Sequence, residues 1–76
     1  MNIFKLRKAR KELKEVLHYA KHIRHMHEDI ADPVALAKLR AEEQAARTAR
    51  RNRDVGRMES AGTEVVKACE KVAPPK

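Results

Sequence analysis

His18, His22, His25 and Asp29 are the residues of this sequence whose types and spacing come nearest to a chemistry of their own. On a helix turning 100° per residue they fall within an arc of about 60°. Two neutral imidazoles at i, i+4 can share one divalent ion. The row is about 16 Å long, however, so one ion reaches only two or three of its members. No other segment offers an obvious further ligand. The competing reading is a solvated, histidine-rich polar face, and the expectation is therefore no metal and no cofactor, with these four residues as the one metal candidate. The fourth histidine, His27, lies on the apolar side of the same helix.

Two groups of cations come next. Lys5, Arg7, Lys8, Arg10, Lys11 and Lys14 form a basic run beside Ile3, Phe4 and Leu6. Basic helical faces neutralise phosphates on nucleic acid and also lie against anionic lipid head groups. Apolar residues next to the cations suit a membrane interface. Reading bases needs an aromatic platform, a helix-turn-helix turn or a glycine-rich loop, and none is visible. Arg47, Arg50, Arg51 and Arg53 form the second group, able to grip phosphate or carboxylate through planar guanidinium forks. They also sit where the negative end of a helix dipole favours cations.

Catalysis by this chain alone is not expected. Ser60 is the only serine, sits mid-helix beside Glu59 and Gly62, and has no base in register. Cys69 falls on an apolar seam, where a free thiol behaves as a small buried apolar group. The neighbouring carboxylates Glu42 and Glu43 point in different directions and line no recognisable pocket.

The elements that must carry these residues are helices. Leu6, Ala9, Leu13, Val16, Ala20, Ile23, His27 and Ile30 follow alternating three- and four-residue steps, and Leu17 widens the stripe. This spacing predicts a first helix over about 3–30. Asp32-Pro33 then supplies an N-cap oxygen and a proline at the first helical position. The second helix, over about 33–52, is alanine-rich, with Leu36 and Leu39 as its large apolar anchors. Asp54 reads as a break or a fresh cap. Val55, Met58, Gly62, Val65, Cys69 and Val72 resume the rhythm in a third helix over about 54–73, stopped by Pro74-Pro75. The pattern leaves open whether the second and third helices are separate or form one bent rod. The fold class is all-α, an antiparallel helical hairpin or a small three-helix bundle with coiled-coil-like seams.

Length and composition agree with one such module. The chain has 76 residues, 18 Lys+Arg against 11 Asp+Glu, a formal charge of +7, two glycines and two aromatics, Phe4 and Tyr19. That leaves room for one unit spanning 1–76 and excludes glycine-rich phosphate loops and aromatic-rich cores. A single cysteine suggests a reducing compartment. No signal-peptide pattern or bilayer-spanning apolar run is visible.

Several stretches together carry a resemblance: Ala20-Lys21-His22-Ile23-Arg24-His25-Met26-His27-Glu28-Asp29-Ile30, Asp32-Pro33, Leu36-Ala37-Lys38-Leu39, Ala46-Arg47, Ala49-Arg50-Arg51-Asn52-Arg53-Asp54 and Ala68-Cys69-Glu70-Lys71-Val72-Ala73-Pro74-Pro75. In pattern and composition, nearly the whole chain resembles the charged, helical N-terminal extension ahead of the membrane anchor in some bacterial type I signal peptidases. The resemblance implies a parent that is a membrane-bound serine endopeptidase with a Ser–Lys dyad. Its catalytic residues would lie outside this chain, and none is carried over. It also implies a cytosolic position, since Lys/Arg-rich segments next to a membrane span stay on the cytoplasmic side.

The expected function is thus a non-catalytic helical interaction module, cytoplasmic or at the cytoplasmic face of the inner membrane. It would act through docking on a protein partner, self-association or contact with an anionic membrane surface. The alternative is a small basic nucleic-acid-binding protein. No small-molecule substrate is expected.

Overall fold

The computed structural model describes residues 3–73. They form α1 (Ile3–His27), α2 (Pro33–Arg51) and α3 (Val55–Val72), with no strand among the described residues. Short connections return the chain on itself, so the helices run up, down and up as a small three-helix bundle of 43 × 19 × 16 Å.

Each helix end has a local cause. The backbone N–H groups of Ile30 and Ala31 both donate to the His27 carbonyl, at 3.1 and 2.8 Å, and close a turn that stops α1. α1 therefore ends three residues before the expected boundary, and Ile30, expected on the seam, is instead in the turn and strongly exposed. The seam periodicity runs past His27, but the chain leaves the helix there, so the side chain at position 30 no longer follows the buried stripe. Asp32 then caps α2: its Oδ1 accepts from the Val34 N–H at 3.0 Å, and Pro33 occupies the first turn.

α2 and α3 are separate helices. The Arg53 N–H donates to the Arg50 carbonyl at 3.1 Å, and the Asp54 N–H donates to the Ala49 carbonyl at 3.2 Å. This crossed pair is a Schellman motif, which satisfies the last carbonyls of α2. The Asp54 carboxylate then caps α3 by accepting from the Arg57 N–H at 3.1 Å. α3 ends as the Ala73 N–H bonds the Cys69 carbonyl at 2.9 Å. The proline stop expected at Pro74-Pro75 lies outside the described residues.

α3 packs extensively on both other helices, whereas α1 and α2 touch each other less. The buried apolar set is Ala9, Leu13, Ala20 and Ile23 from α1, Leu36, Leu39, Ala46 and Ala49 from α2, and Met58, Val65, Ala68, Cys69 and Val72 from α3. Leu6, Val16 and Leu17 are partly buried against it. Small residues let the helices approach closely. A Cβ placed on Gly62 would stand 3.6 Å from Leu13 Cδ1, an ordinary van der Waals contact. Gly62→Ala therefore gains helix propensity without a clash, and stability should rise by about 0.5–1 kcal/mol. In a thermal melt that is a Tm higher by several degrees. A lower Tm would show that α1 and α3 cannot yield even that contact.

Candidate functional site

Where the sequence separates the cations into two groups, the fold joins part of them. Antiparallel packing brings the first half of α1 to the end where α2 stops. Arg10 of α1 and Arg47, Arg50, Arg51 and Arg53 of α2 and its C-terminal turn line one surface concavity of about 340 Å³. Arg47 has an acidic neighbour, with Nη2 3.7 Å from Glu43 Oε1. Among the described residues no carboxylate lies within ion-pair distance of Arg10, Arg50, Arg51 or Arg53. The helix dipole accounts for Arg50 and Arg51 in the last turn of α2. It does not account for Arg10, which comes from another helix.

The rest of the basic run continues this end of the molecule. Lys5, Arg7, Lys8, Lys11 and Lys14 are exposed along α1. So are Ile3 and Phe4 at its start, the latter 79% exposed.

The histidine row does not close into a site. His18, His22 and His25 are exposed on α1, and Asp29 lies in the turn beyond it. Among the described residues no group of three or more His, Cys, Asp or Glu side chains is placed to hold a metal ion. The row does not stay on one helix, because α1 ends at His27 and Asp29 follows it. His27 is half-buried at the end of α1.

The interior holds a group that sequence reasoning missed. Glu43 is only 1% exposed. Arg24 Nε donates to its Oε2 at 2.8 Å, and Arg24 Nη2 donates to its Oε1 at 3.1 Å. This bidentate fork ties α1 to α2 where their apolar contact is thin. Bonding to the Glu43 carboxylate raises the Arg24 pKa above its ordinary value, against the opposing effect of burial. The signal was present in the sequence. Leu36, Leu39, Glu43 and Ala46 step by three, four and three, which puts a carboxylate on the seam of α2.

Cys69 is buried, and its thiol pKa is raised, first by burial and then by the negative charges of Glu43 and Glu70. The protonated thiol is therefore the native form, and native Cys69 should react with a thiol reagent only through opening of the bundle, about 100-fold or more slower than in denaturant. Fast, unprotected labelling of the native chain would contradict this burial. A folded pKa above the unfolded one leaves stability intact below the unfolded thiol pKa and erodes it as pH rises towards the folded value. The Cys69→Ala variant should lack that alkaline loss, read as denaturant midpoints across the alkaline range.

No described helix is long and apolar enough to cross a membrane. Comparison with family models, with curated proteins and with solved structures yields no match to this chain.

Proposed function

We propose that this chain is a non-catalytic helical interaction module that docks on an anionic membrane surface through one end of its bundle. The observation that carries the reading is the juxtaposition at that end. Exposed Ile3 and Phe4 stand on the same helix as the basic run, and the arginine-lined concavity adjoins it. Charge draws such an end to anionic head groups at about 1 kcal/mol per cation near the surface. Apolar side chains beside the charge then add burial in the interface, which nucleic acid would not reward. The resemblance to signal-peptidase N-terminal extensions supports the same placement, ahead of a membrane anchor on the cytoplasmic side.

The alternative, a basic nucleic-acid-binding protein, draws on the same arginines and on counterion release. Co-sedimentation with phosphatidylglycerol-containing and pure phosphatidylcholine vesicles, beside a salt-titrated duplex DNA and RNA shift assay, separates the two. The expected result is binding to the anionic vesicles alone among the vesicles, weakened by Phe4→Ser as well as by salt. Nucleic-acid binding with no vesicle binding at low salt would replace the membrane reading with the alternative.

A further inference from the structure

The concavity formed by Arg10, Arg47, Arg50, Arg51 and Arg53 has one feature that surface docking by charge does not require. Arg53 has φ 56°, the only positive φ among the described non-glycine residues. It is the left-handed residue of the Schellman motif that ends α2, the position where glycine is the usual occupant because a Cβ is disfavoured there. A strained backbone therefore holds an arginine where glycine would be more stable, and that arginine lines the concavity.

The concavity is also strongly unbalanced in charge. Five arginines from two helices and a turn line it, and of these only Arg47 has a carboxylate neighbour among the described residues. Like charges along one concavity repel one another, and a bound anion would relieve that repulsion. Guanidinium forks match the oxygen geometry of phosphate, and five of them exceed what one phosphate can use.

We infer that the α1–α2 concavity is a discrete binding site for a ligand carrying two neighbouring phosphate groups, with Arg53 held in a strained turn as one of its ligands. This rests on the proposed anionic docking only in its choice of end; the site itself would take a soluble diphosphate as well as a lipid head group with two phosphates.

Inorganic pyrophosphate is the soluble probe, with citrate at matched ionic strength as the polycarboxylate control. Pyrophosphate should raise the Tm saturably, and citrate should do so much less. Arg53→Gly separates binding from stability because its two effects have opposite signs. The free variant should melt about 4–8 °C higher, since the strain is gone. Its affinity for pyrophosphate by titration calorimetry should fall about tenfold. Arg10→Gln, on the other helix, should lower the affinity comparably.

Equal protection by citrate, or unchanged pyrophosphate affinity in both Arg53→Gly and Arg10→Gln, would overturn the site. Vesicles distinguish the ligand's source. If cardiolipin vesicles bind in preference to phosphatidylglycerol vesicles of equal charge and pyrophosphate displaces them, the two phosphates come from a lipid. If pyrophosphate binds at these arginines while vesicle binding is absent or indifferent to Arg53→Gly, they come from a soluble ligand. Vesicle binding without any pyrophosphate site leaves the docking proposal standing and removes this one. A pyrophosphate site without vesicle binding does the reverse.

Discussion

Arg24→Met should cost this protein about 3 kcal/mol, because it leaves the Glu43 carboxylate buried without its bidentate partner. Glu43 is almost wholly enclosed, whereas the Arg24 side chain keeps 21% of its exposure. Desolvation therefore falls mainly on the carboxylate. Arg47, 3.7 Å from the same carboxylate and half exposed, can swing in and recover part of the loss, which holds the figure below the upper end for buried pairs. The double variant Arg24→Met with Glu43→Leu should regain most of the stability, since an apolar pair of similar volume needs no desolvated charge. Urea unfolding of wild type, both single variants and the double variant gives the coupling directly. If Arg24→Met alone were within about 0.5 kcal/mol of wild type, the fork would carry no net stability.

Leu39→Ala is the second large effect. Leu39 is the bulkiest of the fully buried side chains, at 0% exposure, and it anchors the alanine-rich α2 to the core. Truncating a buried leucine costs about 2–5 kcal/mol through lost transfer energy and the cavity left behind. A single core of this size supplies only about 3–5 kcal/mol in total. The variant is therefore expected to lose its cooperative thermal transition in circular dichroism at ordinary temperatures. Ile30→Ala is the matched control: the side chain is exposed in the α1–α2 turn, so its Tm should stay within a few degrees of wild type. A cooperative melt for Leu39→Ala close to wild type would mean that α2 is held by something other than its apolar seam.

How far the sequence could be read depends on how local each determinant is. The caps at Asp32 and Asp54, the proline at 33 and the three-four spacing of Leu13, Ala20, Ile23, Leu39, Met58, Val65 and Cys69 act within a few residues of themselves. They were legible for that reason, and the structure places all of those seam residues in the core. The end of α1 is not legible in the spacing, because Ile30 keeps the period while the chain has already left the helix. No residue at 28–31 is a proline or glycine to mark the exit. The burial of Glu43 is hard to read because a carboxylate beside Glu42 reads as surface unless its seam position is weighed against its type.

By itself, then, the sequence determined an all-α chain, the break at Asp32-Pro33, and a surface where cations lie mostly off the apolar stripes, while the separation of α2 from α3 came from the structure. Local propensity, capping and periodicity are enough for that. Only the tertiary structure decided that α3 would pack against both other helices, that Arg24 would meet Glu43, and that Arg10 would join the arginines at the end of α2. Those outcomes depend on the rotation and axial register of one helix against another. Seams built largely from alanine, valine and glycine specify register weakly, because small side chains form shallow ridges and grooves. The Arg24–Glu43 fork, with its two directional bonds between α1 and α2, adds a geometric preference that small apolar side chains do not supply.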